Sequence, residues 1–315
     1  MIDASLSAGI DVGSTWLDLG FHPFAKPIRA RNSEAGIETI IAALRERGVA
    51  KVALEAIGGY GRKLVAALIE ADLNVFVVNP RRIKAFRDAE GLIAKTDKLD
   101  AGLIARFAHA MAHELRPLPD AEQAVLKALS TRRRQLTESI AIEKTRLKQA
   151  FDPLIVESCR EMIALLEDKR RAIEADLDRR IDAQDRMARR RAILSSIPGV
   201  GARISALVVV EMPELGVIDR KAAASLAGLA PHPSQSGLSR GRNAISGGRP
   251  CVRAAFYMAA LVATRSHPKF KQAYLDLRAA GKPAKVALVA IARRLVTLAN
   301  ALIRDDIPFN NARFA

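Results

Sequence analysis

The first apolar run of the chain, Ala8-Gly9-Ile10-Asp11-Val12, stops on a carboxylate and is followed by Gly13-Ser14-Thr15. That pattern predicts a first strand with Asp11 near its end, a tight turn, and a second strand over 16–21. Residues 27–31 continue as a third strand. Ile37, Ile40, Ile41 and Leu44 then fall on one face of a helix over 34–47, with Ser33 as its N-cap. A short apolar strand over 49–54 ends in Glu55, again ahead of glycines, Gly58 and Gly59, and a helix over 61–71. The strand over 73–78 closes on Asn79-Pro80. Thr96 can cap a helix that continues through Ala101, Leu103, Ile104, Phe107 and Ala108. A three-strand meander followed by alternating helix and strand is the RNase H layout. It makes the first and fourth strands central neighbours, with Asp11 and Glu55 side by side.

From residue 119 the pattern becomes helical throughout. Leu126, Leu129, Leu136, Ile140 and Leu147 keep three-four spacing, and Phe151-Asp152-Pro153 breaks the run. Met162, Leu166, Ile173, Leu177 and Ile181 mark a second long helix, so 119–190 forms a helical hairpin or a dimerising coiled coil. Residues 191–315 open with Ser195-Ser196-Ile197-Pro198-Gly199-Val200-Gly201 between two helices, a helix-hairpin-helix pattern. Such a turn offers backbone N–H groups of Gly199 and Gly201 to a phosphate; a plain glycine turn between core helices is the alternative. A Ser/Gly/Arg-rich loop spans 234–249, and apolar helices over 253–264 and 286–303 finish the chain. The fold class expected is α/β plus all-α. Its parts are an RNase-H-like (RuvC-like) domain over 1–118, a helical coiled-coil middle over 119–190, and a mostly helical C-terminal domain over 191–315.

Composition sharpens this in one direction. Half of the residues are hydrophobic, as in a folded protein, and 50 Lys and Arg against 34 Asp and Glu leave a net charge of +16. That excess points to a polyanion, most often nucleic acid. Aromatic residues are only 4%, which argues against base stacking on an aromatic platform. Cys159 and Cys251 are too few for a disulfide framework or a zinc site and suit a reducing cytoplasm. No signal peptide precedes residue 9, and no uninterrupted apolar run reaches a membrane-spanning length. His109 and His113 lie one helical turn apart without a third ligand, and a structural role is expected for them.

The candidate chemistry lies in the acids. Asp97 and Asp100 share a face of one helical turn, beside Lys95 and Lys98. With Asp11 and Glu55 they make four carboxylates, the set that two-metal phosphodiester chemistry needs, and Mg²⁺ is the expected ion. The basic clusters Arg132, Arg133 and Arg134, and Arg240, Arg242 and Arg249 in the glycine-rich loop, are candidate nucleic-acid contacts. A serine among the loop arginines can attack a phosphodiester, and spacing alone does not separate Ser236, Ser239 and Ser246.

Gly9-Ile10-Asp11, Glu55-Ala56 with Gly58-Gly59-Tyr60, and Lys95-Thr96-Asp97 with Asp100-Ala101 resemble the DEDD transposases of the IS110 insertion-sequence family. Ile57 stands where that pattern has Thr. Leu226-Ala227-Gly228-Leu229-Ala230-Pro231, Ser236-Gly237, Gly241-Arg242 and Ile245-Ser246 resemble the C-terminal domain of the same proteins. The resemblance implies DNA strand cleavage and rejoining, Ser236 as nucleophile, and sites composed from two subunits of a dimer or tetramer. It also implies guidance by a non-coding bridge RNA that pairs with donor and target DNA. Two other classes share the first motif. A hydrolytic Holliday-junction nuclease would need the carboxylates and no serine. An actin-like sugar kinase would need a second phosphate loop and an adenosine site, which the sequence lacks.

Overall fold

The computed structural model describes residues 6–23, 26–49, 51–55, 59–91, 97–112, 115, 121–232, 235–236, 239–240 and 244–310. They form two units, residues 1–120 and 121–315, so the segments 119–190 and 191–315 both lie essentially in the second.

The first unit is built on a mixed five-stranded sheet. Strands β1 (Ser7–Val12), β2 (Trp16–His22) and β3 (Ile28–Arg31) form the antiparallel meander. Helix α1 (Glu34–Glu46) follows, with the Ser33 side chain accepting from the Gly36 N–H at 3.4 Å. Strand β4 (Lys51–Glu55) returns parallel to β1. A single 3-10 turn (Gly59–Gly61), helix α2 (Arg62–Glu70) and strand β5 (Val75–Val78) come next. The spatial order β3-β2-β1-β4-β5 is the order expected of the RNase H layout. Asn79-Pro80, read from the sequence only as a strand end, also starts helix α3 (Pro80–Ala89): Asn79 caps the Arg81 N–H at 2.9 Å and Pro80 occupies the first turn. Helix α4 spans Asp97–Ala110; its expected cap, Thr96, lies outside the described residues.

Side-chain alternation divides the sheet into two faces. Ile10, Val12, Leu17 and Leu19 pack with Ile37, Ile40, Leu44, Leu64 and Leu68 on the α1–α2 side. On the other face α4 lies directly on the strands, because Gly9 and Gly20 have no side chains. A Cβ at Gly9 would collide with the α4 backbone at Ala101 and Ala105, and one at Gly20 with Ala101 and Gly102. Ala53, Val78, Leu103, Ile104 and Phe107 complete this layer. Phe86 meets Phe107 edge to face at 5.5 Å and so seats α3 on α4.

The second unit begins with α5 (Ala121–Gln149) and α6 (Pro153–Asp182), separated where Asp152 caps the Leu154 and Ile155 N–H groups. Ion pairs Glu122–Arg180, Arg133–Glu174 and Lys144–Glu167 rung the two helices together, one number rising as the other falls, so they run antiparallel. Helices α7 (Asp185–Ser195), α8 (Ala202–Glu211) and α9 (Arg220–Leu226) precede a ribbon of short strands. Where the sequence predicted a loop, β6 (Pro231–His232) pairs with β9 (Ala244–Ile245), and β7 (Gln235–Ser236) with β8 (Ser239–Arg240). Helices α10 (Pro250–Ser266), α11 (Pro268–Ala279) and α12 (Ala284–Arg304) close the unit; α11 had no counterpart in the hydrophobic pattern. Val208, Met212, Phe256, Ile291, Leu295 and Val296 are among its core. By length and composition α12 is the one helix among the described residues long and apolar enough to cross a membrane, although Arg293 and Arg294 interrupt its apolar run, as the sequence indicated. Its apolar stripe from Ala287 to Leu302 is buried in this core, which accounts for its composition.

Candidate active site

The β1–β4 ladder ends with the pairs Gly9↔Ala53 and Ile10↔Leu54, so the next residue on each strand is a carboxylate, Asp11 and Glu55. Asp11 also pairs with Asp18 across β2, Asp18 with Arg29 across β3, and Glu55 with Val78 across β5. One row of the sheet therefore reads Arg29, Asp18, Asp11, Glu55, all directed to the face on which α4 lies. Asp18 is 3% exposed, and its carboxylate is gripped by Arg29 through Nε and Nη2, both at 2.8 Å. Asp18 was not among the residues expected from the sequence. The signal was present, since a lone acid stood between Leu17 and Leu19 at a position the alternation assigns to the face of Asp11.

His109, at the far end of α4, packs against His22 with the ring centroids 4.8 Å apart and tilted by 53°, opposite the start of β1. The first turn of α4 thus lies toward Asp11. Asp100 in that turn is buried and ion-paired with Arg87 of α3. The side chain of Asp97 lies outside the described residues. Among the described residues no three His, Cys, Asp or Glu side chains close on one point. The donors present nevertheless suit a hard divalent cation: they are all carboxylate oxygens, two of them adjacent in register and a third in the helix packed over them.

The turns that follow the two strand-end acids are tied together. The Asn32 side chain donates to the Gly13 carbonyl at 2.9 Å and to the Tyr60 carbonyl at 3.2 Å. Its N–H donates to the Thr15 carbonyl at 2.9 Å. Asp11, Gly13, Ser14, Thr15, Trp16 and Asp18 line an open cavity here.

In the second unit, the ribbon pairs Ser236 with Ser239, whereas Ser246 is exposed just past β9. The side chains of Ser236, Ser239 and Arg240, and all of Arg242, lie outside the described residues. The base is clamped. Gly228 and Gly248, both at positive φ, touch so closely that a Cβ on either would collide with the other strand of the loop. Arg249 donates to both Glu214 oxygens at 2.8 and 2.5 Å. Burial opposes the Arg249 charge, but Glu214 overcomes it and holds the guanidinium above its ordinary value. Arg133 is likewise committed to Glu174, Arg134 lies 3.9 Å from Glu138, and Arg132 reaches Gln135. Of the two glycines expected at a phosphate, Gly199 is turned against the α10 backbone at Ala259, while Gly201 is exposed with open space where a Cβ would be.

Comparison with known proteins decides the family. A family profile described as a DEDD-type transposase matches residues 8–155, and one described as "Transposase IS116/IS110/IS902 family" matches 191–275. A pilin gene-inverting protein of Moraxella lacunata is 31% identical over 264 residues, covering 82% of this chain and 81% of that protein. The chain belongs to the IS110-type transposase family. A second pilin gene-inverting protein, of Moraxella bovis, is 30% identical over the same shares. An IS110 protein of Streptomyces coelicolor is 32% identical over 48% of this chain and 37% of its own length. Among solved structures, T. thermophilus RuvC in complex with a Holliday junction substrate covers 36% of this chain and 99% of its own, at 20% identity and a TM-score of 0.29. In this family member the two profiles take in the Asp11–Glu55 row and the clamped ribbon respectively, so both candidate regions lie in family-matched sequence.

Proposed function

We propose that this transposase cleaves and rejoins DNA strands at a Mg²⁺-dependent DEDD site of Asp11, Glu55, Asp97 and Asp100, with Ser236 as the nucleophile. The observation that carries it is the register that sets Asp11 beside Glu55 on the face covered by α4. Rigid strand ends hold these two acids in place, and the Asn32 bridge fixes the turns behind them. Asp100 comes from α4, its charge balanced by Arg87 until a cation takes that role. Magnesium, when bound, supplies Lewis-acid polarisation of the phosphodiester and neutralises developing charge. The Ser236 oxygen forms a bond to phosphorus as the P–O bond to the departing strand breaks; the serine proton is released to solvent and the departing oxygen takes one up. The phosphoserine conserves the ester, so a hydroxyl of a partner strand can displace the serine and rejoin the DNA. The same chemistry would serve insertion or inversion of a segment, the latter being what the Moraxella relatives are named for.

The basic surface is proposed to hold the DNA and a bridge RNA, with exposed Arg132 and the open Gly201 turn among the contacts. Self-association is proposed through the far end of the α5–α6 hairpin, where Phe151 is 93% and Leu154 80% exposed and Ile155, Met162 and Leu165 continue the apolar stripe. Asp11→Asn and Glu55→Gln are expected to abolish strand cleavage, and Ser236→Ala to abolish a protein–DNA adduct trapped on a nicked substrate and mapped by mass spectrometry. Cleavage by Ser236→Ala at the wild-type rate, with no adduct in the parent, would assign the site to hydrolysis.

A further inference from the structure

The carboxylate row has an aromatic neighbour. Trp16 opens β2, pairs with Arg31 across β3, and shares its face with Asp18 and Arg29. It is the one tryptophan of the chain. The residue is 40% exposed, with the Arg31 guanidinium 5.4 Å and the Arg29 guanidinium 5.7 Å from its ring centroid. Trp16 also lines the cavity that contains Asp11 and Asp18. On the β4 side, Tyr60 is 60% exposed and is followed by exposed Arg62 and Lys63. Its backbone is tied through Asn32 to the turn that carries Trp16. The chain has one Trp and three Tyr; Tyr257 and Tyr274 are part-buried in the second unit, and the exposed two flank the Asp11–Glu55 pair.

We propose that Trp16, with Arg29 and Arg31, is a subsite for an unpaired nucleotide of the strand at the carboxylates, with Tyr60 as a second stacking ring across the site. Two guanidiniums already pack on the indole, and the part of Trp16 that stays exposed is a flat apolar surface on which a nucleobase can stack. The guanidiniums set a positive potential beside the ring; Arg29 is held there by Asp18, and Arg31 would attract a phosphate next to a stacked base. A paired base hides its faces in the duplex, so a ring rising from a sheet selects for bases already unstacked, as at a nick, a junction or an opened strand. DNA and RNA share this chemistry. The proposal rests on the carboxylates being the reaction site only for its place in the mechanism; the binding itself requires no metal.

The test uses the native tryptophan of the full chain as its reporter, in buffer with EDTA. Short single-stranded oligothymidine or oligouridine is expected to quench the fluorescence saturably, with duplex of the same length binding at least about tenfold more weakly, the scale of one base–aromatic stack. Preference for oligothymidine identifies a DNA strand as the occupant, and preference for oligouridine an RNA. Arg31→Gln should weaken binding several-fold while leaving the quench at saturation unchanged. Trp16→Leu should weaken binding of a labelled single strand about tenfold by anisotropy. Asp11→Asn should keep the quench whatever it does to cleavage, which separates this subsite from the metal-site reading. No saturable quench by either single strand, or equal quench by duplex, would overturn the proposal.

Discussion

At the scale of single residues, the Asp18–Arg29 pair controls how much charge the carboxylate row carries. Asp18 is nearly inaccessible, and Arg29 satisfies both of its oxygens. Arg29→Met would leave a buried carboxylate uncompensated one residue across from Asp11. A loss of about 2–4 kcal/mol in urea unfolding is expected, most of it recovered in the double variant Asp18→Asn/Arg29→Met. Equal losses in the single and double variants would count against a charge mechanism. His22 gives a pH signature. Burial first, then His109 and Arg106, hold its imidazole below the ordinary value, against an opposing pull from Glu90. The unfolded chain then binds the proton more tightly than the native state, so this group's stabilising contribution is present above the ordinary histidine pKa. It is lost as pH falls toward the depressed native value. Removing the imidazole removes that slope: the stability difference between the parent and His22→Phe should be flat above neutral pH and turn against the parent on acidification, measured by urea midpoints across a pH series.

At the scale of elements, the decisive contact is α4 lying on the backbone of β1 and β2. Gly9→Ala places a Cβ inside the α4 backbone, and either the helix or the strand must shift. Loss of several kcal/mol, or failure to fold, is expected. Gly102 sits in the same helix with nothing within 4 Å of a Cβ. Gly102→Ala should be neutral or stabilising by about 0.5–1 kcal/mol, because alanine lowers the entropy cost of the helix. Comparing the two by thermal unfolding separates close packing from glycine loss in general. The α5–α6 hairpin follows a different rule. Buried Gln123 donates to the Val210 carbonyl at 2.7 Å and Ser130 to Glu211 at 3.1 Å, fixing its near end to α8. Its far end exposes apolar side chains instead.

At the scale of the whole molecule, a net charge of +16 leads to the expectation that phosphate contacts dominate nucleic-acid binding. Many arginines are nevertheless committed within the protein. Arg189 pairs with Asp306, Arg191 with Asp178 and Asp182, and Arg190 donates to the carbonyls of Pro213 and Leu215. The salt dependence should therefore reflect the uncommitted cations, not the composition. Log affinity for DNA or RNA is expected to fall linearly with log salt at about −0.7 to −0.9 per phosphate neutralised. Arg132→Gln should reduce the slope by about one such step, and Arg249→Gln should lower stability and leave the slope unchanged. A flat response of the parent protein would remove phosphate contact as the main term.

Strand-end acids, the meander and the helical remainder were legible in the chain because each rests on local periodicity, capping and turn chemistry. Asp11 stood out for stopping an apolar run, and Glu55 for doing so before glycines. The two long helices of the hairpin followed from three-four spacing, and the Asp152-Pro153 break from the same local rules. Pairings between distant positions were not legible in this way. Asp18 joined the carboxylate row only through the β1–β2 register, and the ion pair between Arg249 and Glu214 joins residues 35 positions apart. The serine loop became a clamped ribbon because Gly228 and Gly248 meet across it. Low aromatic content argued against stacking, yet composition counts rings without placing them. The fold set the one tryptophan, exposed, beside the carboxylates. Local sequence determines which elements form, since their hydrogen bonds and apolar periods close within a few residues. Which charges are cancelled and which faces stay open depends on contacts between residues far apart in the chain, and only the tertiary structure decides those.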